Sequence, residues 1–240
     1  MKPMRTLLSA LALFTTAAFA QPDPKTMDNY VFTLIWAKPD AKELTKEENQ
    51  KLMVGHMAHI ESMAKEGSLV AAGPANSPGS RLRGIFVFRA PMEKAKELAN
   101  ADPTVKGGVF ELDSHTWYSY KGIGEPYKTW RAANPDGKVK MATYQLAIFK
   151  KGPRGDATPA DLQKYAQEHL AGIAEGRKAG KIVCAGPVQD SSKIAGIGVF
   201  ATSLDEAKAI LEKDAFVSRG IMTVEWYSWF AAADTFPPAQ

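Results

Sequence analysis

The sequence predicts an α+β fold in which two βαββαβ units of one chain pack sheet on sheet as a pseudo-dimer. Three observations predict it. Met53–Pro74 recurs as Ala166–Pro187: in each, a histidine (His56, His169) stands eleven positions before a glycine (Gly67, Gly180), and an apolar run then closes on Gly-Pro (Gly73-Pro74, Gly186-Pro187). The two stretches lie 113 positions apart, the signature of a tandem duplication. Each half then reads strand, helix, strand, strand, helix, strand, an order that folds as an antiparallel four-stranded sheet with both helices on one face. The opposite face of each sheet would be bare and apolar, and two copies in one chain cover each other.

In the first half, Tyr30–Trp36 is β-branched and aromatic and reads as a strand. Thr45–Glu66 reads as a helix. Thr45 and Glu48 make a capping box, and Leu52, Met53, Met57, Ile60, Met63 and Ala64 fall on one arc, the expected packed face. Gly67 stops the helix. Ser68–Ala72 and Arg83–Arg89 read as strands, Met92–Asn100 as a helix, ADPTVKGG as a turn and Val109–Tyr118 as the last strand. In the second half the strands are Thr143–Lys150, Lys181–Ala185, Gly196–Ala201 and Ile221–Phe230. The helices are Pro159–Ala179 and Leu204–Glu212, the latter capped by Ser203. The units therefore span 29–120 and 143–231. Residues 121–142, rich in Gly, Pro and charge, read as a linker, and 232–240 as a frayed tail.

Residues 1–20 have the order of a signal peptide: Lys2 and Arg5, an apolar core over Leu7–Phe14, then Ala18-Phe19-Ala20. Cleavage after Ala20 would leave a periplasmic or secreted protein. The apolar run is too short to span a bilayer, so no membrane association is expected after cleavage. The formal net charge of +4 is small, and Lys2 and Arg5 are in the leader, so the balance argues against nucleic acid as a partner. The single cysteine, Cys184, excludes an internal disulfide and reads as a small buried hydrophobe in the run KIVCAGP.

His56 falls inside the apolar arc of its helix with Leu52, Ile60 and Met63; His169 falls among Leu162, Tyr165 and Ile173. After the second helix of each half an aspartate recurs, Asp102 and Asp214, each six positions before a glycine (Gly108, Gly220). One reading makes the histidines core residues bonded to a carbonyl and the aspartates turn caps. The other links His56 to Asp102 and His169 to Asp214. A carboxylate on one imidazole nitrogen fixes the tautomer and leaves the second nitrogen as a general base or acid. No serine or cysteine recurs beside the pair, so proton transfer fits better than acyl transfer. Lys106 and Arg219 follow the aspartates and could attract a carboxylate or phenolate substrate. His59, one turn from His56, has Gly172 as its counterpart and no third ligand, so no metal is expected. His115 lies in a strand of alternating polarity and is expected to be exposed. Tyr30, Trp36, Trp117, Trp226 and Trp229 read as core rather than pocket. No G-x-x-x-x-G-K-[ST] occurs, and no cofactor is expected.

The pattern H-x10-G-x5-GP, then G-I-F or G-V-F, then E-A-K and D-P/A-x-V-x-x-G, resembles the YCII family. Both halves carry it, over roughly Tyr30–Trp117 and Tyr144–Trp229. The resemblance implies a ferredoxin-like dimeric α+β barrel with a site on His56 and Asp102, and by position on His169 and Asp214. It also implies a small-molecule partner and, since the family borders isomerases and dehydrochlorinases, a lyase- or isomerase-like step. Two departures stand out: Asp214 is followed by Ala215 rather than proline, and two copies are fused behind a leader. The expectation is an exported small-molecule enzyme using His–Asp pairs for proton transfer, monomeric because it carries its own pseudo-dimer. The alternative is a non-catalytic binding module of the same fold.

Overall fold

The structure is a computed structural model that describes residues 23–153, 157–191 and 193–239. The expected signal peptide, 1–20, lies outside the described residues. Among those described, no helix is long and apolar enough to cross a membrane.

The first half runs β1 (Met27–Ala37), α1 (Lys46–Glu66), β2 (Leu69–Asn76), β3 (Leu82–Phe88), α2 (Met92–Asn100), α3 (Pro103–Lys106) and β4 (Phe110–Tyr120). After α4 (Glu125–Ala133), the second half runs β5 (Met141–Lys151), α5 (Pro159–Lys178), β6 (Ile182–Pro187), β7 (Gly196–Phe200), α6 (Leu204–Glu212), α7 (Ala215–Ser218) and β8 (Met222–Ala232). The strands form one eight-stranded antiparallel sheet in the order β4-β1-β3-β2-β8-β5-β7-β6. β2 meets β8 through Ala75–Trp229 and Asn76–Ser228, and the two ends, β4 and β6, meet through a bridge between Trp117 and Val188. The sheet is thus a nearly closed barrel.

Both Gly-Pro motifs sit where the halves join. A Cβ on Gly73 would lie 2.0 Å from the Phe230 carbonyl oxygen, and one on Gly186 would lie 1.9 Å from that of Tyr118. Only a residue without a Cβ lets these strands approach.

Strand alternation sorts the core into three parts. Tyr30, Phe32 and Leu34 of β1 point into the barrel with Trp117, Leu146, Ile148 and Trp229. Val31 and Ile35 point outward and pack with Met63 and Ala95 of the helices. Phe149, Ile182 and Leu211 form the equivalent outer layer of the second half. Burial on both faces explains why YVFTLIW is a continuous apolar run rather than an alternating one. The barrel interior is filled by aromatic rings: Phe32 packs edge-on to Trp117 at 5.3 Å and to Trp229 at 6.2 Å between centroids.

Five expectations are corrected. The linker contains a two-turn helix, α4, and its Ile123 is fully buried, held by backbone N–H groups of Gly122 and Ile123 that donate to the Tyr30 hydroxyl at 3.1 and 3.3 Å. The turn ADPTVKGG contains the one-turn helix α3. The tail is not frayed: Phe236 is buried edge-on against Tyr144 at 5.0 Å, Thr235 is buried, and the Gly124 amide donates to the Thr235 carbonyl at 2.7 Å. Met53 and Met57 are 37% and 58% exposed, because the packed stripe of α1 runs through Leu52, His56, Ile60 and Met63 and leaves these two on its flank. His115 is buried; it points into the barrel, not to solvent, and joins the halves, with Nδ1 3.5 Å from Asp190 and Nε2 3.0 Å from Asp113. The last contact lies off a hydrogen-bonding line, so Nε2 has charge proximity without a full bond. Asp190 also accepts the Thr116 amide at 2.7 Å, fastening the β6–β7 loop to β4.

Candidate functional site

The histidines are set by the long helices and the aspartates by the short ones. α1 begins at the Thr45–Glu48 capping box and ends at Gly67, whose φ of 88° is open to glycine. It carries His56 over the outer face of the sheet. Asp102 is the N-cap of α3: its Oδ1 accepts from the Thr104 amide at 2.8 Å and from the Thr104 hydroxyl at 2.5 Å. Its other oxygen, Oδ2, lies 2.7 Å from His56 Nδ1. Asp102 is 1% exposed and His56 13%, and the imidazole stacks on Phe86.

The second half repeats this arrangement. His169 on α5 places Nδ1 2.5 Å from Asp214 Oδ2, while Asp214 Oδ1 accepts from the Phe216 and Val217 amides at 2.9 and 3.2 Å. The backbone of Asp214 (φ −65°, ψ 137°) matches that of Asp102 (φ −58°, ψ 131°), so the cap forms without the proline. Phe216 replaces Thr104, and its ring packs on His169 at 5.2 Å.

A carboxylate held this way has a defined state. Burial alone would raise the Asp102 carboxyl, but the His56 and Thr104 hydrogen bonds outweigh it and hold it below the ordinary carboxylate value. An ionised Asp102 can only accept, so a neutral His56 must carry its proton on Nδ1 and expose a lone pair on Nε2. Neither Nε2 has a hydrogen-bond partner among the described residues, and neither is among the buried unpartnered atoms. Each pair therefore has one imidazole nitrogen held by a carboxylate and the other left without a partner among the described residues.

The remaining expected residues fall out differently. Lys106 is exposed in the last turn of α3 and has no ion pair among the described residues. Arg219, the other residue expected to attract a substrate anion, makes contacts within the fold. It pairs with Glu168 at 3.2 Å, stacks over Tyr165 at 4.1 Å and donates to the Ala215 carbonyl, bracing α5 against α7. His59 Nε2 donates to the Leu98 carbonyl at 2.8 Å, which ties α1 to α2. Among the described residues no cluster of three His, Cys, Asp or Glu is arranged to hold a metal. Cys184 is fully buried, and burial pushes its thiol up to about 12, which removes it as a nucleophile.

Between α5 and α6 lies a groove of about 640 Å3 that ends at Asp214 and is lined also by Gly172, Gly176 and Ile210. No sequence pattern anticipates it, although the alignment of His59 with Gly172 was the available signal.

Residues 31–113 match the family model of the YCII-related domain. The match contains His56 and Asp102. Two solved variants of chlorite dismutase from Candidatus Nitrospira defluvii are similar in fold. One, in complex with cyanide, is 11% identical with a TM-score of 0.56, covering 84% of this chain and 90% of that one. The other is 13% identical with a TM-score of 0.55, covering 85% and 91%. At these identities the likeness concerns the dimeric α+β barrel alone. No curated protein matches the chain in sequence.

Proposed function

We propose that the chain is an exported, YCII-like tandem protein that acts on a small organic molecule by proton transfer, with His56–Asp102 and His169–Asp214 as the working pairs. The observation that carries this reading is the repeated geometry: imidazole Nδ1 on a carboxylate fixed by helix N-terminal donors, with Nε2 left open. In an isomerase-like step such a base takes a proton from one carbon and the imidazolium returns it to another; in a lyase-like step it takes the proton as the neighbouring leaving group departs with the C–X electron pair, and the imidazolium gives the proton to that group or to water. The carboxylate stabilises that imidazolium without itself being protonated. The filled barrel interior directs a ligand to the outer, helical face, where both pairs lie. Because the two halves close one barrel between them, the unit needs no second copy to complete its fold. Residues 1–20 support export.

The test is solvent-deuterium wash-in. The protein is incubated in D2O with a panel of carbon acids, small ketones, lactones and chlorinated cyclic compounds, and exchange at carbon is followed by NMR. The expected result is catalysed exchange in at least one compound, abolished by His56→Gln with His169→Gln. Compounds that bind without exchanging would support the binding module instead.

A further inference from the structure

The two halves are not equivalent as ligand sites. In the first half the space between α1 and α2 is crossed by His59, whose Nε2 reaches the Leu98 carbonyl, and floored by Met63, which is 1% exposed. At the matching positions of the second half stand Gly172 and Gly176. A Cβ on Gly172 would meet nothing within 4 Å. The missing imidazole at Gly172 opens the groove between α5 and α6, whereas at Gly176 the place of the thioether is taken by Ile182, whose side chain would lie 2.6 Å from a Cβ there. Its size is that of pockets that hold small molecules.

The geometry points to this groove as the ligand-binding site of the chain, selective for a compact apolar molecule carrying one anionic group at the end formed by Lys213 and Asp214. The floor is apolar, with Ile173, Ile182 and Ile210. At one end of the groove Lys181 pairs with Glu206 at 2.8 Å and has Glu175, which makes no ion pair among the described residues, as a further acidic neighbour, while Glu168 pairs with Arg219. Lys213 also lines the groove, one residue before Asp214, and has no ion pair among the described residues. Its counterpart in the first half is Ala101. A ligand anion on Lys213 would place the adjoining carbon beside the carboxylate that holds His169. The first-half pair then serves a site without this groove, and the two copies have divided their roles. Only the chemistry after binding rests on the proposed function; occupancy of the groove does not require turnover.

The experiment is a fluorescence titration with 8-anilinonaphthalene-1-sulfonate, an aromatic body with one anion, on the full folded chain. One equivalent is expected to bind per chain. Gly172→His, which restores the first half's residue, and Ala209→Trp, on the exposed side of the groove, are each expected to weaken binding at least tenfold. Lys213→Glu should weaken it several-fold, and more at low salt than at high salt. Circular dichroism and melting curves keep these effects separate from misfolding. Two equivalents per chain, or binding that ignores both Gly172→His and Ala209→Trp and instead responds to Met57→Lys on α1, would overturn the assignment. Wash-in reads the histidine pair and the titration reads the groove, so either idea can fail while the other stands.

Discussion

Replacing Asp102 by Asn changes one oxygen to NH2 and removes a charge at a site that is 1% exposed. The carboxylate accepts three hydrogen bonds, from His56 Nδ1, the Thr104 amide and the Thr104 hydroxyl. An asparagine can keep the two bonds to Thr104 through its remaining oxygen, so the cap of α3 survives. The charge-assisted bond to His56, of about 1.5–3 kcal/mol, is lost and replaced by a neutral one of about 1 kcal/mol. The net loss at neutral pH should be about 0.5–2 kcal/mol. Asp102→Ala also removes the cap, for about 1 kcal/mol more. The pH dependence has a definite sign. Asp102 has a folded value below its unfolded one, so its stabilisation is complete above the ordinary carboxylate value near 4 and fades as pH falls through the folded value. Urea denaturation of wild type and Asp102→Asn at pH 7 and pH 3 measures this. The gap should be largest at pH 7 and narrow at pH 3. No gap at pH 7, or one of the same size at pH 3, would refute the reasoning.

The packing sets three further outcomes. Gly186→Ala drives a Cβ into the Tyr118 carbonyl oxygen at the β4–β6 junction and should cost about 2 kcal/mol or more in chemical denaturation, with loss of protection of the Gln189 amide in hydrogen exchange. An equal cost with that amide still protected would mean that the junction is not closed here. Phe236→Ala should cost about 3 kcal/mol, since the ring is 8% exposed between Tyr144 and Trp229; a change below about 0.5 kcal/mol would return 232–240 to the status of a loose tail. His115 has its folded value raised by Asp113, against the opposing effect of burial, with Asp190 adding to the rise. Its contribution is therefore complete below about 6.5 and lost as pH rises through the folded value, so His115→Gln should lower Tm more at pH 6 than at pH 9. A deficit that grows toward pH 9 would contradict this.

The element order was legible because each strand and helix carries its own period, and because the duplicated spacing supplied a second reading of the same pattern. The His–Asp pairing was legible only through that repetition; one histidine in an apolar arc would have passed for a core residue. The features that escaped share a cause: each depends on where an element sits, not on what it is. Met53 and Met57 belong to the apolar arc of α1, but they lie on its flank, outside the packed stripe through Leu52, His56, Ile60 and Met63. His115 alternates correctly in β4, yet strand period does not say which face meets water when both are covered. α4 is masked by the surrounding Gly and Pro, and Phe236 is a single ring between polar residues and Pro237-Pro238. The groove is opened by an absent side chain at Gly172, which gives no pattern of its own.

Proton transfer at either site requires that each aspartate hold its histidine with the proton on Nδ1 and the lone pair on Nε2. Long-range 15N–1H NMR of the two imidazoles, at a pH where they are neutral, reads this directly. The expected result is Nδ1–H with an unprotonated Nε2 at both His56 and His169, changed at His56 by Asp102→Asn and at His169 by Asp214→Asn. Nε2–H tautomers in the wild-type protein would contradict it, since neither nitrogen facing the ligand could then accept a proton.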